Sequence, residues 1–438
     1  MIEYNMASYI PVISREIDLT EYKGVQPGRS RRVSVQPDNI SSYTSSSSTS
    51  DIFFSIPSSR NSFIQTTATQ LCFNVLGNAT YTTATAGSLS NGSGSSVIQA
   101  MEVVIQNQQI ENLLNYNVYA AIVEDLQSER RFINTGQILS GAGSAAKTGD
   151  TITGATTVDG VPVRCALPLY SGVLGVGAEQ FCPMVDGMRV KITLAPTLTA
   201  LTFSNNTAMT ANSYKLSNIQ LQLEVMDFDS ATMSALVAQG GGVLKQHMTC
   251  VNNYQATLSA STANSILIPA RFSSVKALLT CFRLSANIAD PTTENITGAR
   301  ILPQIKEYFF TVDGANVPSV PVQVAASATS VFAGEALSEV MKVFGASNSA
   351  QFQTVFNKTQ YQDLAGIGVD GSFLIGQNFE SQDSAGSALI SGRDLNSSNV
   401  YLNLTHYATA TASVCDTFAL YDVVVSYNMM DGSVSMSK

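Results

Sequence analysis

From residue 51 onward the chain alternates apolar and polar residues in short runs separated by turn-forming residues. A period of two marks half-buried β-strands. In Arg189–Leu194 (RVKITL), Val190, Ile192 and Leu194 point one way and Arg189, Lys191 and Thr193 the other. Ile219–Val225 (IQLQLEV) repeats the pattern. Asp51–Pro57, Gln70–Leu76, Val97–Ile105 and Val161–Leu169 are also predicted as strands. Later come Gln255–Leu258, Ser265–Pro269, Val275–Leu279, Glu307–Val312, Val320–Val324, Val400–Leu404 and Phe418–Tyr427. Only two helices are predicted, Ser230–Ala238 and Glu335–Phe344. The first runs into Gly240–Gly242, and a short helix ended by glycines suits a connection between domains.

The pattern divides the chain into an N-terminal arm (1–50), a first β-sandwich (51–228), a helix and glycine connector (229–246) and a second sandwich with a C-terminal tail (247–438). Each half holds about seven or eight strands, the number in one jelly roll. Met101–Ile110 (MEVVIQNQQI) and Tyr308–Val317 (YFFTVDGANV) both read as strand, tight turn, strand, a weak internal echo. The arm lacks periodicity, contains Pro11, Pro27 and Pro37, and ends in the tract Ser45–Ser50. Such a segment buries too little to fold by itself. Its cluster Arg29, Arg31 and Arg32 reads either as a solvated turn or as an inward contact with a neighbour, a membrane or packaged nucleic acid. The Gly/Ser/Thr-rich loops 82–96 and 140–160 are expected to face outward.

Charge sharpens this picture. Of 438 residues, 13% are charged, about half the usual share. The polar surface therefore comes from Ser, Thr, Asn, Gln and Gly, which lose little on packing against neighbours. A net charge of −9 excludes a broad nucleic-acid-coating face. Six cysteines (72, 165, 182, 250, 281, 415) lie in apolar runs without metal-like spacing and are expected to be buried free thiols, suited to a reducing compartment. No basic segment followed by an apolar one opens the sequence, so no secretion signal is read.

Candidate chemistry is sparse. His247 and His406 are the two histidines, and no Gly-x-Ser-x-Gly elbow accompanies them. Gly141–Thr148 (GAGSAAKT) approaches a phosphate loop, but Ala146 replaces the second glycine and no apolar helix follows. Asp227 and Asp229 flank the first predicted helix and read as capping partners. No catalytic residue, cofactor or metal site is assigned, and the chain reads as a non-enzyme.

Several segments resemble the double-jelly-roll major capsid proteins of icosahedral double-stranded DNA viruses. The first-domain hairpin of that family resembles Ser96–Tyr119, through Ile98, Glu102, Val104, Ile105, Asn107, Gln108 and Ile110. Ala166–Leu194 follows the family's order of Leu-Pro strand, loop, Pro-led segment and alternating strand, at Leu167–Pro168, Pro183–Val185 and Val190–Leu194. Phe373–Leu404 and Thr417–Asn428 give a third, weaker match. Trp is absent, as are the aromatic-rich signatures of the largest members, which places the resemblance with smaller relatives of the virophage and adintovirus kind. It implies an all-β chain of two consecutive jelly rolls, and homotrimers acting as pseudo-hexameric capsomers of an icosahedral shell. Implied partners are other copies, penton and minor capsid proteins, and an internal membrane or the genome through the arm. Its implied location is the virion. A receptor- or carbohydrate-binding sandwich is the competing reading, since jelly rolls serve both roles.

Overall fold

The computed structural model of the chain describes residues 28–40, 42–45, 50–77, 87–90, 93–126, 134–141, 151–152, 162–175, 181–203, 214–289, 298–344, 354–362, 371–380 and 392–438. The first half supplies eight principal strands: β1 (Gly28–Val35), β2 (Ser50–Ser55), β3 (Ser62–Gly77), β4 (Ile98–Ile105), β5 (Gln108–Leu114), β6 (Val163–Pro168), β7 (Met188–Leu194) and β8 (Tyr214–Phe228). One sheet runs β1-β8-β3-β6, the other β2-β7-β4-β5, and every pairing is antiparallel. The alternation in β7 and β8 has the expected consequence: Val190, Ile192, Leu194, Ile219, Leu221, Leu223 and Val225 are all buried.

The second half repeats this arrangement strand for strand. Its strands are β9 (Val243–Leu258), β10 (Ala263–Ile268), β11 (Val275–Leu284), β12 (Ile305–Val312), β13 (Ala315–Gln323), β14 (Leu374–Asn378), β15 (Val400–His406) and β16 (Ser413–Asn428). The sheets run β9-β16-β11-β14 and β10-β15-β12-β13. Each strand thus takes the place of the one eight earlier. The two echoed segments are the same hairpin: β4–β5 turns at Gln106 and Asn107 (φ 48° and 64°), β12–β13 at Asp313 and Gly314 (φ 52° and 81°). A further strand, β17 (Val434–Ser437), pairs with β16.

Among the described residues the three longest helices, of ten residues each, are α1 (Tyr116–Asp125), α2 (Ser230–Gln239) and α3 (Gly334–Val343). Asp229 caps α2, accepting from Thr232 N at 2.7 Å. Gly241 and Gly242 (φ 62° and 88°) then reverse the chain into β9. α3 lies across β14, close enough that a Cβ on Gly376 would sit 3.0 Å from Val340 Cα. Covered on both faces, β11 is buried almost continuously instead of alternating. Buried apolar residues of the two halves form one contiguous cluster.

Four expectations change. Gly28–Val35 and Ser42–Thr44, expected within the arm, belong to the first sheet: β1 is an edge strand of it, and Ser42–Thr44 also pairs with β8. Val33 and Val35 turn inward, while Arg29, Arg31 and Arg32 are exposed. The second half begins at Val243 rather than 247, because β9 pairs with β16 along its whole length. Among the described residues the first α-helix is α1, not the connector helix. Within the loop expected at 82–96, Gly87–Leu89 is a strand and Gly94–Val97 a buried 3-10 turn. Residues 1–27, 82–86 and 142–150 lie outside the described residues.

Candidate functional site

The richest polar chemistry lies on the seam between the halves. Asn115, with φ 50°, turns the chain from β5 into α1, a conformation that Asn tolerates better than most residues. Its side chain donates to Asn253 Oδ1 (3.1 Å) and Asp416 Oδ1 (3.0 Å) in the second half and accepts from Gln99 Nε2 (3.0 Å). Asp416 is fully buried and also receives Gln255 Nε2 (3.0 Å) and the Arg283 guanidinium (2.6 and 2.7 Å). One turn along α1, the Tyr119 ring meets Phe418 with centroids 5.3 Å apart. At the C-terminal end of α1, Asp125 pairs with Arg300, and neither is exposed by more than 2%. A cation there also complements the helix dipole. Among the described residues Arg300 Nε and Nη1 have no hydrogen-bond partner.

A second set of contacts surrounds β5. Glu111 is fully buried and accepts from the Ser171 hydroxyl, Gly172 N (3.1 Å) and the backbone of Val251 on β9. Burial raises its carboxyl above the ordinary value, opposed by those hydrogen bonds. Gly172 lies so close to β9 that a Cβ would fall 2.1 Å from Thr249 O. The hairpin turn is clasped from the far end of the chain: Gln106 bonds Gly432 O and Val434 N, Gln108 donates to Val434 O (3.1 Å), and Lys438 Nζ reaches Gln109 O (2.8 Å). A cleft of about 480 Å³ opens on this seam, lined by Tyr119, Tyr170, Gly172, Thr249 and Phe344. Its cation, Lys276, is already paired with Glu380 at 3.0 Å.

The residues singled out in the sequence lie elsewhere. Arg29, Arg31 and Arg32 stand exposed on β1, where Arg31 pairs with Asp227 at 2.6 Å. Asp227 is therefore a strand partner rather than a helix cap, and the Arg31 guanidinium followed by the Ser62 hydroxyl holds its carboxyl below the usual value. His406 is buried: its Nδ1 donates to Pro303 O (2.8 Å) and its Nε2 accepts from Asn264 (3.1 Å), so the ring is neutral, and burial lowers its pKa. His247 sits half-buried within β9. All six cysteines are buried, and no disulfide joins any of them. Among the described residues no group of three or more His, Cys, Asp or Glu is arranged to hold a metal. Gly141 alone of the phosphate-loop-like segment is described. The sequence reading missed α1, Glu111, Asp125, Arg300 and Asp416. The signal that could have found them was an isolated charge beside an apolar run, as in Arg300-Ile301-Leu302 and Ile122-Val123-Glu124-Asp125.

No protein-family model matches the sequence, and no curated protein matches it. Solved structures do. The chain superposes on VP54 of PBCV-1, as fitted into a reconstruction of the virophage Sputnik, with a TM-score of 0.64 at 11% identity, covering 95% of this chain and 98% of that one. The Faustovirus major capsid protein gives 0.59 at 10% identity, covering 92% and 91%. The mavirus major capsid protein gives 0.51 at 8% identity, covering 100% and 95%. Coverage this complete takes in both repeats of the eight-strand order.

The chain is a double jelly roll. Within this double jelly roll the seam residues fix the second roll against the first, through α1, Glu111 and the β17 clasp.

Proposed function

We propose that this double jelly roll is the major capsid protein of an icosahedral double-stranded DNA virus, a structural protein and not an enzyme. The observation that carries the reading is the duplication itself. One chain holds two units of the same strand order, joined by a shared core, so three chains present six similar units and form a capsomer of pseudo-hexagonal outline. Such capsomers tile flat facets. The likeness to major capsid proteins over nearly the whole of both chains supports this reading, as does the scarcity of surface charge. The chain then resides in the virion shell and meets copies of itself, penton and minor capsid proteins at vertices and edges, and an internal membrane or the genome through residues preceding β1. Arg29, Arg31 and Arg32 belong to its assembly contacts.

Light scattering on purified protein, followed by negative-stain imaging of the same sample, tests the proposal. The expected result is a mass three times the 46.5 kDa chain and particles of hexagonal outline. A stable monomer showing no such particles would sink it.

A further inference from the structure

A ring made from three two-unit chains contains two kinds of seam. One joins the first roll to the second inside a chain; the other joins the second roll to the first roll of the next chain. A pseudo-hexagonal outline spaces the six units at nearly equal turns, which asks the two seams to be built alike, although three chains need only a 120° step between them to close. The inner seam is visible: β5 and its turn lie against β9. Glu111 bonds the backbone of Val251, and Gln106 and Gln108 reach β17, which pairs with the end of β16 on the side opposite the start of β9. No strand ladder joins β5 to β9, so side chains make the contact.

Strand correspondence identifies the outer seam. β13 takes the place of β5, and Asp313 that of Gln106. β1 takes the place of β9, since Gly28 and Val243 each face the last residue of β8 and β16, Phe228 and Asn428. Both strands are sheet edges. Their burial fits: β5 buries Ile110, Glu111 and Leu113, whereas no residue of β13 from Ala315 to Pro321 is buried, and Val320 is 70% exposed. Resting on the capsid reading, we propose that β13 and its turn in one copy seat against β1 of a second copy, repeating between chains the β5–β9 contact within each chain. Charge agrees with the correspondence. The turn carries the exposed Asp313, and the facing end of β1 carries Arg29, Arg31 and Arg32. Arg31 is held by Asp227, while Arg29 and Arg32 form no ion pair among the described residues. Pro318 and Pro321 remove two backbone donors from β13, so this contact too is made by side chains.

The test combines charge reversal with cross-linking on the full chain. Asp313→Arg alone, and Arg29→Asp with Arg32→Asp, are each expected to turn the wild-type trimer into monomer at the same concentration; all three together are expected to restore the trimer. A p-benzoylphenylalanine at Asn316 of the otherwise wild-type chain is expected to cross-link to the peptide spanning residues 28–35 of another copy. A trimer that ignores the reversals and cross-links elsewhere overturns the assignment while leaving the capsid reading intact. A wild-type monomer overturns both.

Discussion

The two hairpins, β4–β5 and β12–β13, are built alike and end differently. Both close on a two-residue left-handed turn and both carry a bulge in the second strand. In β5 the residues after the bulge are Glu111, a buried acceptor, and Leu113, a core residue. In β13 the shift itself holds four residues, Pro318-Ser319-Val320-Pro321, with Ser319 and Val320 in solvent, and pairing resumes at the buried Val322. One fold position has therefore diverged into a permanent internal joint and an uncovered edge. An uncovered, prolinated edge resists casual strand pairing yet stays open to a shaped partner.

Substitutions should separate the joint from the edge. The largest effect is expected at Arg300→Met, which leaves Asp125 buried without its cation and costs about 3–5 kcal/mol in urea unfolding. If Asp125→Asn on that background recovers none of the loss, the pair is not what holds α1. Gly172→Ala drives a methyl into the Thr249 carbonyl and forces the halves apart, a loss of about 1–3 kcal/mol. Protease accessibility of the seam reports it directly, and unchanged digestion would show that the close approach is dispensable.

The Glu111 effect depends on pH. Its folded pKa lies above the unfolded one, so the carboxyl imposes no penalty when protonated in both states. Stability should fall as pH rises from the ordinary glutamate range toward the raised folded value, then level off. Glu111→Gln, which keeps an acceptor for Gly172 and Val251, should flatten that slope; an equally steep slope in the variant assigns the pH dependence to another group. The smallest effect is expected on the edge. Val320→Ser should change the unfolding free energy of the isolated chain by no more than about 0.5 kcal/mol. A larger loss would mean that the edge is already part of the core.

Much of this architecture is legible in the sequence, and the failures are physical. Strands with one face in water, such as β7 and β8, announce themselves by alternation. β1 does not, because an edge strand that buries only Val35, and Val33 in part, beyond Arg29-Ser30-Arg31-Arg32 reads as a polar arm. α1 escapes because it is buried nearly all round and so lacks an amphipathic period. The serines near residue 95 look like a surface loop, yet Ser93 and Ser95 bond Glu124 (2.9 and 3.1 Å) and Ser96 bonds Ala200 O (2.9 Å). Small hydroxyls bury readily once a partner is supplied, and only tertiary structure supplies it. The same holds for Glu111, Asp125 and Asp416, whose partners lie far along the chain.

The position of β8 and β16 has a consequence for how the protein is made. Each is an inner strand of its sheet, hydrogen-bonded on both sides, and each is the last of its eight to be synthesised. A ribosome that has passed β1 and β3 has produced two strands with nothing between them until Tyr214–Phe228 emerges. β9 likewise waits for Ser413–Asn428. Pairings this distant in sequence form slowly. A stalled or truncated product therefore lacks the middle of a sheet, and Asp416 and the β17 clasp with it, so only a chain read to its final strands presents a finished surface to its neighbours.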